Sequence, residues 1–328
     1  MKIFVAGATG ALGARLVPML VDGGHDVVAM TRSRQKSDGL RALGAEPAVA
    51  DGLDRGSVMQ AVMRAEPEVV IHQMTALANA RNMKRFDEEF ALTNRLRTEG
   101  TDHLLEAARA AGARRLIVQS YAAWPYERTG GAVKSEDDPL DPDPPANQRR
   151  TLDAIRHAEL PALEGGDLEV LALRYGAFYG PGTGFAPGGD MFELVAKRKL
   201  PVVGDGAGVW SFVHIDDAAS ATVAAMDHGA AGVYNAADDE PAPVSEWLPD
   251  LAAAIGAKAP RHIPLWLGRL AIGEVGISLM TQIRGAANAR AKRELQWTPL
   301  YATWRDGFRT GLEASPMARR ESGPSQVA

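Results

Sequence analysis

The chain has 328 residues, 46% of them hydrophobic and 23% charged, with a net charge of −5 and no cysteine. Such a chain can bury a large core as one big domain or two interlocked ones. The missing cysteines exclude disulfides, thiolate catalysis and cysteine metal sites, and the acidic balance without a long basic run argues against nucleic acid or an anionic membrane surface as partner.

In chain order, an apolar stretch at 2–6 reads as a strand and runs directly into Gly7, Gly10 and Gly13. Gly7 permits a tight turn, Gly10 removes the side chain that would block a pyrophosphate, and Gly13 lets the following helix pack on the strand. That helix is marked by Ala11, Leu12, Leu16, Met19 and Leu20, and its first N–H groups are free to meet an anion. Strand, glycine spacing and helix together point to a dinucleotide site whose loop also includes Thr9. Turn glycines and Arg15 interrupt the apolar start, so no export signal is expected, and with no cysteine the expected location is cytoplasmic.

Further β-rich segments at 26–30, 46–50, 69–72, 115–119 and 169–174 alternate with helical ones. The rhythm predicts an α/β protein: a doubly wound, Rossmann-type parallel sheet with a smaller C-terminal substrate lobe. Where a carboxylate would bind the ribose hydroxyls of NAD, the chain has Thr31-Arg32-Ser33-Arg34. Arg32 and Arg34 favour the extra phosphate of NADP, with NAD as the alternative. Asp51 reads either as an acceptor for the adenine amino group or as a turn former before Gly52.

A helix ends at Gly112 in the manner of a C-terminal cap. Residues 121–150, rich in Pro, Asp and Gly, leave the carboxyl end of a strand and are expected to form a substrate-side flap. Beyond Tyr175 the alternation decays. The expected division is an NADP-binding domain at 1–175 to which 211–237 returns, a substrate lobe from 176–210 and 238–314, and a disordered tail at 315–328. Residues 263–280 are the most membrane-like stretch, but Arg269 and Glu274 interrupt them, so a buried or subunit-contact helix is expected. The seven histidines lack metal-ligand spacing, so no metal is expected. His72 reads as structural, Asp216 and Asp217 as helix caps, and the absence of GxSxG excludes hydrolysis.

GATGALG (7–13), the segment 51–54, VVIHQM (69–74), Asn94, RYGAFYGPG (174–182), FVHIDDAA (212–219) and RELQWTP (293–299) together resemble the extended short-chain dehydrogenase/reductase family, the group of NAD-dependent epimerase/dehydratases, over residues 1–311. The resemblance implies coenzyme contacts from Gly52, Leu53, Gln73, Met74, Thr75, Asn94, Gln119, Tyr175, Gly176 and Phe178, and it makes a homodimer plausible. Family chemistry rests on a tyrosine, a lysine four residues later that lowers its pKa, and a nearby hydroxyl. No YxxxK occurs here; anchoring on Glu159 puts Thr151 in the tyrosine position and Ile155 in the lysine position. In LIVQSYAAWPY (116–126), Ser120 falls one place early and Tyr121 stands where the hydroxyl belongs. Tyr121, with Ser120 beside it, is therefore the candidate acid or base, the other reading being an aromatic wall shared with Trp124 and Tyr126.

Nucleotide-sugar members carry an arginine before the FVHxDD segment, whereas this chain has Trp210, which cannot neutralise a diphosphate but could also be core. Trp124, Tyr126, Tyr179 and Trp210 are the expected substrate lining. The expected function is an atypical NADP-dependent oxidoreductase acting on a small, non-nucleotide carbonyl or alcohol, with Tyr121 or water handling the proton. The alternatives are an epimerase, dehydratase or isomerase that uses the coenzyme without net redox, and a non-catalytic NADP(H) sensor.

Overall fold

Runs of Val, Ile, Leu and Ala that are apolar on both faces can be satisfied only between two helical layers. The computed structural model describes residues 1–77 and 82–313 and places seven such strands in one sheet: β1 (Lys2–Ala6), β2 (Asp26–Thr31), β3 (Glu46–Val49), β4 (Val69–His72), β5 (Arg115–Tyr121), β6 (Glu169–Tyr175) and β7 (Gly232–Ala236). The order is β7-β6-β5-β4-β1-β2-β3 and every pairing is parallel, a doubly wound Rossmann-type sheet. Succession along the chain reverses between β1 and β4, so the crevice at their carboxyl ends is the natural ligand site.

The helices packed around the sheet include α1 (Gly13–Asp22), α2 (Arg55–Ala65), α3 (Ala91–Arg97), α4 (Glu99–Ala110), α5 (Arg149–Glu164) and α6 (Ile215–Asp227). Residues of α1 and α6 join Ile3, Val5, Ile117 and Leu171 in one core layer. Residues of α2, α3, α4 and α5 join Phe4, Val70, Leu116 and Val170 in the other.

The fifth strand runs two residues beyond the expected 119, because Ser120 pairs with Arg174 and Tyr121 with Tyr175. This keeps Ser120 and Tyr121 in extended backbone, where neighbours point to opposite faces.

A second core surrounds Phe212, Trp247, Trp304 and Phe308. It gathers the short parallel pair Ala177–Tyr179 and Phe212–His214 with helices α7 (Val244–Ala254), α8 (Leu265–Thr281) and α9 (Trp304–Thr310). Gly273, at φ 72°, breaks α8, and no helix among the described residues is long and apolar enough to cross a membrane. The segment expected as a flap is tied down by a bridge between Tyr126 and Leu140 and by pairing of Val133–Lys134 with Gly285–Ala286. The expected tail at 315–328 lies outside the described residues.

Candidate active site

Two of the three glycines are closed in and one is open. A Cβ on Gly7 (φ 91°) would stand 2.5 Å from the Gln73 carbonyl, and one on Gly13 would stand 2.3 Å from Gly7 O. Gly10 donates to Gly7 O at 3.0 Å, yet a Cβ there would meet only that oxygen, at 3.4 Å. Gly10 and Ala11 are exposed, Thr9 is half-buried and Leu12 is buried beneath them. The result is bare main chain at the start of α1, a shelf that fits a dinucleotide diphosphate.

Arg32 and Arg34 are exposed at the end of β2, where Thr31 Oγ1 accepts from Ser33 N at 3.2 Å and shapes the turn. Asp51 Oδ1 accepts from Leu53 N at 3.0 Å, the geometry of a turn former. Met74 packs on Gly52, where a Cβ would stand 2.4 Å from its sulfur.

At the end of β4, His72 is buried; Nε2 donates to Leu96 O at 3.1 Å and Nδ1 accepts from Met74 N at 3.2 Å. Burial lowers its pKa to about 4, so the ring is neutral at physiological pH. Gln73 Nε2 donates to Tyr175 OH at 3.1 Å, and that hydroxyl also bonds Thr222 Oγ1 at 2.7 Å. Gln73 Oε1 is buried without a partner. Thr75, Gln119 and Phe178 are half-buried, and Gly176 allows close approach to Phe212, whose carbonyl carbon a Cβ would meet at 2.8 Å.

Thr151 and Ile155, expected in the family's tyrosine and lysine positions, are both held as scaffold. Thr151 Oγ1 donates to Asp87 Oδ1 at 2.7 Å and accepts from Asn94 Nδ2 at 3.0 Å. One turn on, Ile155 is buried in an apolar cluster with Phe86, Trp124, Leu152, Val275 and Ile283.

Ser120 differs from its expected role: it is 1% exposed and its hydroxyl donates to Glu159 Oε1 at 2.5 Å. Glu159 is also gripped by Arg174 through bonds of 2.7 and 2.6 Å, and Arg174 Nη1 donates to Tyr126 OH at 2.9 Å. Tyr126, itself fully buried, donates to Asn235 Oδ1 at 2.6 Å. Tyr179 is fully buried beside Phe212, His214, Tyr301 and Phe308. Tyr126, Tyr175 and Tyr179 therefore present no surface to a ligand in this structure, in contrast to the sequence expectation. The reason is tertiary: each ring is claimed by a neighbouring strand or helix across a long loop.

Trp124 is nearly buried, edge-on to Phe86 at 5.7 Å. Trp210 is half-buried with Nε1 donating to Leu279 O at 2.9 Å. Tyr121 points away from the Ser120 network, is half-buried, and packs against both the C-terminal core and the Ile155 cluster. Among the described residues its hydroxyl has no hydrogen-bond partner. Burial pushes its pKa up to about 12, against the pull of the Arg97 guanidinium. Arg97 was not singled out by sequence reasoning; the available signal was its place one turn after Asn94, which puts both on neighbouring positions of α3. Among the described residues no group of three or more His, Asp or Glu is arranged to hold a metal ion.

A model of the NAD dependent epimerase/dehydratase family matches residues 3–237. A Streptomyces protein named 3-diazoavenalumate denitrifying reductase is 48% identical over 313 residues, covering 94% of this chain and 99% of that protein. A 2-alkyl-3-oxoalkanoate reductase of Stenotrophomonas maltophilia is 31% identical over 266 residues, covering 78% of this chain and 76% of that protein. Among solved structures, UDP-glucose 4-epimerase of Thermotoga maritima with UDP-glucose shares the fold, with a TM-score of 0.74 at 21% identity over 98% of this chain and 99% of that one.

Proposed function

This chain belongs to the NAD-dependent epimerase/dehydratase family of short-chain dehydrogenase/reductase-type enzymes, and we propose that within it the protein is an NADPH-dependent reductase of a small, non-nucleotide substrate that takes up hydride without a proton from a tyrosine–lysine dyad. The observation that carries this reading is the commitment of Thr151 to Asp87 and Asn94 and of Ile155 to an apolar cluster, beside an intact glycine shelf. Gly7, Gly10, Gly13 and the start of α1 hold the diphosphate, while Arg32 and Arg34 hold the extra phosphate.

The 48% identical relative is named for a diazo compound and for loss of nitrogen, and we assign this chain the same substrate class. Held by the glycine shelf and by Arg32 and Arg34, NADPH would supply the hydride for a diazonium carbon, the C–N electron pair leaving with dinitrogen, so that R–N2+ plus H− would give R–H plus N2. No protein proton enters that balance. Trp210 and Tyr121 border the substrate, and the apolar cluster of Phe86, Trp124 and Ile155 excludes the water that competes for such a carbon.

A second reading, carbonyl reduction, is favoured by Tyr121 alone. Its unbonded phenol is protonated at neutral pH, and the nearby Arg97 stabilises the phenolate left after donation.

The experiment follows 4-carboxybenzenediazonium with NADPH deuterated at C4. Saturable, protein-dependent release of N2 with deuterium on the ring carbon is expected, with any effect of Tyr121→Phe falling on KM and kcat unchanged within about threefold. No acceleration over the protein-free reaction sinks the diazo reading, and a loss of about a hundredfold in ketone reduction by Tyr121→Phe selects the carbonyl reading instead.

A further inference from the structure

Arg97 ends α3 with its side chain buried: 5% of its surface is exposed, and Nη1 is enclosed with no hydrogen-bond partner. Among the described residues no hydrogen bond or ion pair ties the guanidinium to the protein. A bare buried cation is costly, and such a group is retained where a ligand of opposite charge completes it.

The protein does not supply that charge. Tyr121 and Glu159 are the acidic groups whose fields reach Arg97, and His72, which also feels it, is neutral. Glu159 is already spent: Arg174 holds both its oxygens and Ser120 donates to Oε1. Asp87 accepts from Arg150 N, Thr151 N and Thr151 Oγ1. Arg97 and Arg174 set against Glu159 leave one positive charge over at the end of β5, next to the unbonded Tyr121 hydroxyl. On the preceding turn Asn94 Oδ1 is also buried without a partner.

We propose that Arg97 and Tyr121 form an anion subsite that takes an oxyanion of the substrate, a carboxylate or phenolate, and so selects singly charged small acids. The proposal deepens the reductase reading and rests on it for the word substrate. A guanidinium offers a planar oxyanion two N–H groups in a fork, and the phenol adds a third donor. The coenzyme phosphates are a second source of negative charge, but their shelf lies at the end of β1. That is two strands from β5, about 10 Å at ordinary strand spacing. The subsite also fits Trp210 standing where a diphosphate-binding arginine is expected, since one buried charge matches one carboxylate.

The test measures binding, not turnover. Full-length protein saturated with NADPH is titrated calorimetrically with benzoate, phenylacetate and 4-hydroxybenzoate and with their uncharged primary amides. The wild type is expected to prefer acids over amides by at least about tenfold. Arg97→Met should abolish the preference and leave the NADPH Kd within about twofold, and Arg97→Lys should retain part of it. Because Arg97→Met removes a bare buried charge, the ligand-free variant should melt no lower than the wild type.

Four outcomes overturn the proposal: amides binding as tightly as acids, no acid binding at about 10 mM, survival of the preference in Arg97→Met, or a fall in its Tm of more than about 5 °C, which would make the guanidinium scaffold. Survival of the preference together with a tenfold weaker NADPH Kd would give the charge to the coenzyme. Wild-type protein that binds acids but not NADPH would sink the reductase reading while leaving the anion subsite standing.

Discussion

Thr151 Oγ1 gives its only proton to Asp87 Oδ1 at 2.7 Å while Asn94 Nδ2 donates to it at 3.0 Å, so this hydroxyl works as a joint between α3, α5 and the segment that carries Asp87. Thr151→Val leaves Asp87 one donor short and Asn94 without an acceptor. The expected cost is about 1–3 kcal/mol in urea unfolding, with kcat changed less than about threefold. A hundredfold fall in kcat at unchanged stability would contradict the assignment.

The Glu159–Arg174 pair is buried on both sides, at 1% and 5% side-chain exposure. Removing one partner strands the other charge, so Glu159→Gln and Arg174→Met should each cost about 3–5 kcal/mol. Glu159→Gln combined with Arg174→Met should cost less than the sum of the two single changes. Strict additivity in a double-mutant cycle would show that the two do not act as a unit.

Because His72 titrates at about 4 when folded and near 6.5 when unfolded, the unfolded chain takes up the proton first as pH falls. The stability it contributes is complete above pH 6.5 and is lost between there and pH 4, by roughly 3 kcal/mol in all. Melting curves across that window should fall for the wild type and flatten for His72→Gln, after allowing for the lower starting stability of the variant. Equal slopes would remove His72 as the source.

Gly7 and Gly10 should fail in different ways. A side chain on Gly7 strikes the Gln73 main chain, so Gly7→Val should unfold at a markedly lower temperature. Gly10→Val has open space, so its Tm should stay within a few degrees while quenching of NADPH fluorescence disappears. Retained nucleotide binding in Gly10→Val would rule out the shelf.

Arg32→Ser with Arg34→Ser removes two exposed cations at the end of β2. NADPH should bind at least about tenfold more weakly and NADH equally well, and the NADPH loss should shrink at high salt. Parallel losses for both coenzymes would mean that the arginines do not choose between them.

The sheet was legible because parallel strands buried on both faces read as continuous Val, Ile and Leu, as in Val69–His72. β7 left no comparable trace: Gly-Val-Tyr-Asn-Ala is short and carries an interior Asn whose partners, Glu136 and Ala287, lie far off in sequence. The last two residues of β5 were equally hidden, since only pairing with β6 keeps Ser120 and Tyr121 extended.

The glycine loop was visible as spacing, whereas the roles of Ser120 and Tyr126 depended on Glu159, Arg174 and Asn235 converging from three elements. Arg97 shows the limit most sharply. Arg95, two residues earlier, is an exposed partner of Glu99 at 2.7 Å, and beyond its spacing of one turn from Asn94 the local letters do not mark Arg97 as the buried one.

Ile155 sits where Phe86, Trp124, Leu152, Val275 and Ile283 close around it. An ammonium returned to that spot would meet hydrocarbon from four separate stretches of chain, and a tyrosine at 151 would have to evict the Asp87 joint. A tyrosine and a lysine at these two positions would therefore need the surrounding side chains replaced along with them, which ties any such change to the packing of the whole cluster.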